Sequence, residues 1–162
     1  MVVEKPEMRD PVALDDLDRR ILRLLQEDAS LSIERVAALT GSSKSPVWNR
    51  VRRLRERGVI ARQVAILDPA AVGREEVFFV AVSTSRHAAD WLERFTAVVR
   101  AMPEIQEAHR LAGEIDYLLK VRVENTRAFD AFYKRLVADL EMSGVTSSLS
   151  METIKSTTAI AI

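Results

Sequence analysis

The run Gly-Ser-Ser-Lys-Ser-Pro-Val-Trp-Asn-Arg-Val-Arg-Arg-Leu-Arg-Glu-Arg-Gly, residues 41–58, constrains this chain more than any other stretch. Val47, Val51 and Leu54 recur at i, i+4 and i+7, so the run reads as a helix with one narrow apolar stripe and a polar remainder. Such a helix must dock its stripe on a small core and leave the rest in water. Its ends are also written in the sequence. Ser43 is a good N-cap, Pro46 is tolerated in a first turn where N–H groups lack helical partners, and Gly58 can take the left-handed position after the last turn. At 100° per residue the side opposite the stripe carries Ser45, Asn49, Arg52 and Arg53, with Arg50 and Arg57 flanking it. Short hydrogen-bonding groups near a helix N-terminus suit base edges in a major groove, and long cations beyond them suit phosphates.

Charge supports that reading over a merely solvated basic face. Between Gly41 and Arg62 stand Lys44, Arg50, Arg52, Arg53, Arg55, Arg57 and Arg62 against one acid, Glu56, in a chain whose formal net charge is zero. Residues 1–62 carry a balance of +3 and residues 63–162 a balance of −3, which divides the chain into a polyanion-binding front and a different back. The length of 162 residues and an apolar share of 48% allow one domain or two small ones with cores. Zero Cys excludes disulfides, thiol catalysis and thiolate metal sites, and the two His, His87 and His109, have no companion ligands in sequence. No metal site or cofactor is expected, and both His read as structural or surface residues. No run reaches transmembrane length and the first residues lack a signal-peptide core, so a cytoplasmic protein is expected. An enzyme would need a nucleophile beside a base, a Gly-rich phosphate loop or a metal cluster, and the sequence has none of these.

Taken in order, residues 1–12 read as a flexible arm. Leu17, Ile21, Leu24 and Leu25 then space a first helix capped by Asp15 or Asp16. Ser32 caps a short second helix in which Leu31 and Val36 can form a hydrophobic staple and Val36, Ala37 and Leu39 face inward. Gly41 turns the chain into the basic helix, which completes a helix-turn-helix. Residues 59–67 change to period two with β-branched residues and read as a wing or connecting strand, followed by a linker to Gly73. Two β-α-β units follow. The first has a strand over 77–82, a helix with Trp91, Phe95, Val98 and Met102 stopped by Pro103, and a strand over 105–111. The second has a strand over 117–123, a helix with Phe129, Phe132, Leu136 and Leu140, and a strand from about 145 to 155. Two such halves predict an α+β chain. A helix-turn-helix domain spans residues 1–62, a connecting strand and linker 63–73, and a ferredoxin-like βαββαβ domain 74–162, with two helices on one face of a four-stranded sheet. In the third of those strands Tyr117, Leu119, Val121 and Val123 point one way and Leu118, Lys120 and Arg122 the other, so the uncovered face is mixed. An exposed sheet with apolar content most economically pairs with a second copy of itself.

Three runs in this order, Leu-Asp-Asp-Leu-Asp-Arg-Arg-Ile-Leu-Arg-Leu-Leu-Gln, Ser-Pro-Val…Arg-Val-Arg-Arg-Leu…Gly-Val-Ile, and Gly-Glu-Ile-Asp-Tyr-Leu-Leu-Lys-Val, resemble the leucine-responsive / asparagine-synthesis (Lrp/AsnC) family of transcriptional regulators. The resemblance covers nearly the whole chain. It implies a winged helix-turn-helix, a ferredoxin-like effector-binding and assembly domain, double-stranded DNA as partner, homo-oligomers built from dimers up to octamers, and amino-acid effectors. Its DNA-contacting residues fall on Ser43, Lys44, Ser45, Pro46, Asn49, Arg50 and Arg53; Arg52 joins them from the outward face of the helix. Its effector loop falls on Leu111, Ala112, Gly113, Glu114, Asp116 and Tyr117, with Thr146, Ser147 and Ser148 on the last strand as its counterpart. Glu114 or Asp116 can hold an effector's ammonium group, and hydroxyls or backbone N–H groups its carboxylate. Gly113-Glu114 reads equally well as an ordinary hairpin turn. Many relatives carry a β-branched residue and Thr where this chain has Leu111 and Ala112.

The stretches around Trp91, Pro103, Phe129–Leu136 and Val145–Thr158 look most like the branch that includes the cysteine-detoxification regulator. That branch nominates a small amino acid, cysteine foremost, although the Cys that its members can carry before the recognition-helix Trp is Val47 here. The alternative is an effector-independent DNA-organising protein of the same fold.

Overall fold

The computed structural model describes residues 10–85, 89–138 and 140–162, so His87 and most of the expected N-terminal arm lie outside them. The elements run α1 Asp16–Glu27, α2 Ile33–Thr40, α3 Lys44–Glu56, β1 Glu76–Ser83, α4 Ala89–Ala101, β2 Ile105–Arg110, β3 Tyr117–Val123, α5 Thr126–Ala138 and β4 Gly144–Leu149. The chain divides into two compact units: residues 10–66 together with Lys155–Ile162, and Leu67–Ile154.

The first unit is the helix-turn-helix. Asp15 caps α1 by accepting the Asp18 backbone N–H at 2.9 Å, and the Asp18 side chain accepts from the Asp15 N–H at 3.3 Å. That reciprocal box satisfies two of the donors that a helix start leaves without partners. Ser32 caps α2 through the Arg35 N–H at 3.2 Å. Gly41 ends α2 with φ +66°, a left-handed residue that lets Ser42 N–H reach back to the Ala37 carbonyl at 2.9 Å and redirects the chain into α3. Gly58 takes φ +71° after α3. The buried stripe is Val47, Val51 and Leu54, as the spacing requires, and the core around it adds Ile21, Val36 and Ala37, with Leu31 and Ile60 packed at its margin.

Leu39, expected to face inward, is exposed, and Thr40 is buried in its place. Thr40 stands one turn after Val36, on the same side of the helix, and its hydroxyl donates to the Val36 carbonyl at 2.8 Å. The expected wing or connecting strand over 59–67 is not a strand. Only Val59 and Ile60 are half-buried, and the segment has no ladder partner among the described residues, without which alternating β-branched residues do not make a sheet.

The last eight residues, expected within the sheet domain, group instead with this unit. The Gln26 side chain accepts the Ile160 N–H at 2.7 Å and donates to the Ile160 carbonyl at 3.1 Å, and Arg23 Nε donates to the Ile162 carbonyl at 2.9 Å.

The second unit is a four-stranded sheet of order β2-β3-β1-β4, antiparallel throughout, the arrangement two split β-α-β halves produce. Tyr117, Leu119, Val121 and Val123 alternate with Leu118, Lys120 and Arg122 as expected, the first set fully buried. They share a core with Phe78, Val80 and Val82 of β1, Trp91 and Phe95 of α4, and Phe132 and Leu136 of α5. Leu140 is buried in the same core although α5 has already ended at Ala138. The final strand stops at Leu149 rather than near 155. After Ser150 donates to the Val77 carbonyl at 2.8 Å, β1 offers only Glu76 before it ends, so the ladder runs out.

The face away from the core carries Phe79 and Ala81 of β1, Leu118, Lys120 and Arg122 of β3, and Thr146 and Ser148 of β4. Lys120 pairs there with Glu107 at 2.8 Å. Lys120, followed by His109, holds the Glu107 carboxyl below the ordinary glutamate value.

Candidate nucleic-acid interface and effector loop

The outward side of α3 is built by exclusion. With Val47, Val51 and Leu54 committed to the core, the helix presents Ser45, Pro46, Trp48, Asn49, Arg52 and Arg53 to solvent. Ser43 opens the helix without using its hydroxyl as a cap, which leaves that group available. Lys44 forms an exposed ion pair with Glu34 of α2 and holds that carboxyl below the ordinary glutamate value.

The seven cations of residues 41–62 are not all free, because acids distant in sequence fold against them. Asp18 is buried at 1% exposure, and its carboxylate accepts from Arg50 Nη1 at 2.9 Å and from Arg53 Nη2 at 2.6 and 2.8 Å. Arg50 also pairs with the N-cap Asp15. The side chain of Arg50 is one-quarter exposed and that of Arg53 nearly half, so the first is a clamp and the second a clamp with a face still in water. Asp15 lies below the ordinary aspartate value, chiefly through the Asp18 N–H and then through Arg50. Arg55 donates to the Gln63 amide oxygen at 2.9 Å. Arg52 lies against the Trp48 ring, its guanidinium carbon 4.7 Å from the centroid.

The acid partners Asp15 and Asp18 escaped the sequence reading, which took them as helix-start residues only. The available signal was the three-residue Asp15–Asp18 spacing, which points both carboxylates around the first turn. Trp48 escaped too, although its place four residues before Arg52 could have drawn attention to it.

The effector-loop residues form the β2–β3 turn. Leu111 N–H donates to the Asp116 carbonyl at 2.8 Å and closes the hairpin. Asp116 fastens the turn to the end of β1 by donating its N–H to the Val82 carbonyl at 3.1 Å and by accepting the Thr84 N–H on Oδ2 at 2.8 Å. Leu111, Ala112, Gly113 and Glu114 are exposed, Asp116 is half-buried, and Tyr117 is buried against Phe95, ring centroids 4.3 Å apart. A Cβ added at Gly113 would meet nothing within 4 Å.

On β4, Thr146 stands opposite Ala81, which in turn faces Leu118, so Thr146 lies two strands, about 10 Å, from the strand the turn leads into. Thr146, Ser147 and Ser148 are all exposed, but Ser147 shares the sheet face of Val80 while Thr146 and Ser148 share that of Ala81 and Phe79. The three hydroxyls therefore do not converge on one side. Among the described residues no cluster of His, Cys, Asp or Glu is placed to hold a metal ion, and no helix is long and apolar enough to cross a membrane.

Residues 14–55 match the AsnC-type helix-turn-helix domain and residues 77–160 the Lrp/AsnC ligand binding domain. The chain is 43% identical to the DNA-binding transcriptional activator DecR of Escherichia coli over 150 residues, which covers 92% of this chain and 99% of that one. It is 40% identical to the glutamate uptake regulatory protein of Zymomonas mobilis, covering 91% and 90%. Its fold superposes on an AsnC family transcriptional regulator from Agrobacterium tumefaciens with a TM-score of 0.88 at 45% identity, covering 91% and 97%. It also superposes on a Neisseria meningitidis transcriptional regulator solved as its L-Met complex, with a TM-score of 0.88 at 33% identity, covering 92% and 97%. Both matched domains belong to transcription regulators and not to enzymes, and the α+β order of helix-turn-helix followed by a ferredoxin-like sheet is theirs. The chain belongs to the Lrp/AsnC family of DNA-binding transcriptional regulators.

Proposed function

We propose that this regulator is sequence-specific, acts in the cytoplasm on double-stranded DNA as dimers assembled into an octamer, and changes operator affinity or assembly when a small, sulfur-containing amino acid binds. The carrying observation is the pairing of an exposed polar helix face with a pinned hairpin turn in a second unit. One arrangement suits a duplex and the other a zwitterion. Ser43, Lys44, Ser45, Pro46, Asn49, Arg52 and Arg53 supply the DNA surface, with Arg50 tying α3 to Asp15 and Asp18 at the start of the first helix.

For the effector, Asp116 already spends one oxygen on Thr84, so its main task is to hold the turn. Glu114, exposed on that turn, takes the ammonium group, and backbone N–H groups around Gly113 take the carboxylate. The resemblance to the cysteine-detoxification branch nominates cysteine, and the L-Met complex of the Neisseria relative supports a sulfur-containing class. The mixed sheet face with Phe79 and Leu118 supports pairing with a second copy.

A thermal-shift screen of the twenty amino acids, followed by calorimetry on the hits, tests the sensing reading. Cysteine or methionine should raise the melting point of the wild-type protein, Glu114→Gln should abolish binding, and Asp116→Asn should weaken it while loosening the turn. If no amino acid binds at millimolar concentration, the effector reading fails.

A further inference from the structure

Trp48 has no role in the core and no place among the DNA contacts that the resemblance assigns, yet it stands half-exposed on α3 at 48%. Exposed tryptophan on an otherwise polar helix face calls for a physical reason, since a smaller residue would fill the position without showing an indole to water. The reason lies one turn on. The Arg52 guanidinium sits over the Trp48 ring at 4.7 Å, and on its other side Arg52 Nε faces Glu56 at 3.6 Å, so residues 48, 52 and 56 form one i, i+4, i+8 column. Arg50 and Arg53, by contrast, each commit a terminal guanidinium nitrogen to Asp18.

An arginine reads guanine by offering two N–H groups in a fixed plane to O6 and N7. A guanidinium held over an indole face and paired to an acid through Nε has fewer orientations open to it than a free one. The two Nη groups of Arg52 are left without a partner among the described residues, on a side chain more than half exposed. Arg52 lies next to Asn49 and Ser45 around the outward face, which is the part of α3 that enters a groove. From this geometry we infer that Arg52 is the guanine-reading residue of α3 and that Trp48 is its positioning shelf, with Glu56 aligning the Nε edge. The inference rests on the DNA-binding reading and adds to it which base is read and by which side chain.

The test begins with duplexes selected from a random library by the wild-type protein. Each guanine is then replaced in turn by 7-deazaguanine, which lacks N7 and keeps its Watson–Crick pairing. At one guanine per half-site the wild type should lose about tenfold in affinity. Arg52→Ala should bind the natural duplex more weakly by a similar factor or more and show no additional loss with 7-deazaguanine there. Trp48→Ala should retain Arg52 but lose several-fold in preference for that guanine, and Trp48→Phe should recover it, since phenylalanine keeps a ring for stacking; circular dichroism of both variants checks that α3 is intact.

Two results would overturn the assignment. In one, the 7-deazaguanine penalty persists undiminished in Arg52→Ala. In the other, Arg52→Ala weakens all duplexes equally while the salt slope falls by about 0.9, which marks a phosphate contact. Sequence preference unchanged in Trp48→Ala would overturn the shelf. A wild-type protein that selects no duplex at all would instead refute the sequence-specific regulator reading, a separate outcome.

Discussion

Asp18 and Arg53 meet across the helix-turn-helix with the Arg53 Nη2 2.6 Å from one carboxylate oxygen and 2.8 Å from the other, while Asp18 itself is 1% exposed. An acid in the first turn of α1 thereby ties that helix to α3. A charge this deeply buried is costly unless paired, and here Arg50, Arg53 and the Asp15 N–H all satisfy it.

Asp18→Asn should therefore loosen the helix-turn-helix specifically. Removing one partner of a buried pair costs up to several kcal/mol, but both arginines keep contact with water, so about 1–3 kcal/mol is expected. Hydrogen exchange of the α1 and α3 amides should accelerate by the corresponding factor while α4 and α5 stay unchanged. Unchanged protection of α3 would mean that Asp18 does not position it.

Acid should act on the same unit through Asp15. Its folded value is depressed, so the stability it supplies is complete above the ordinary aspartate value and is lost as pH falls through the depressed one. Exchange of the α1 amides should rise below about pH 4. In Asp15→Asn, α1 protection should show a flatter pH dependence across that range, and a profile identical to wild type would contradict the assignment.

Salt dependence separates the clamps from the DNA contacts. Arg53→Ala should reduce the slope of log affinity against log salt by about 0.9, whereas Arg50→Ala should leave the slope intact and lower stability instead. Equal slopes for wild type and Arg53→Ala would place Arg53 wholly inside the protein's own ion network.

The open sheet face should carry the dimer. Phe79→Asp combined with Leu118→Asp puts two charges into an apolar patch without touching the buried side of either strand. Light scattering should show smaller particles for the double variant at micromolar concentration; an unchanged mass would locate assembly elsewhere.

Much of this architecture could be read from spacing alone. Val47, Val51 and Leu54 fix the buried side of α3, and the alternation from Tyr117 to Val123 fixes the covered face of the sheet, because each depends on a period local to its own element. Leu39 is a local failure, since Thr40 and not Leu39 stands one turn after Val36; the others are non-local. Residues 59–67 have the composition of a strand, but no local pattern supplies a partner strand. The last strand ends where β1 begins, some seventy residues earlier in sequence. The pairing of Arg50 and Arg53 with Asp18 joins helices more than thirty residues apart, so a basic run that looks free in sequence is partly neutralised in the fold. The effector turn was legible as a hairpin, while the splitting of Ser147 from Thr146 and Ser148 onto opposite sheet faces follows from β4 register with β1.

Footprinting on the protein's own upstream region, with and without each of the twenty amino acids, bears on the whole account at once. A discrete two-fold-symmetric protected site should appear, and cysteine or methionine should shift its half-saturation by roughly 5–150-fold, the range of an ordinary allosteric coupling. Protection spread evenly along the DNA and indifferent to every amino acid would contradict it.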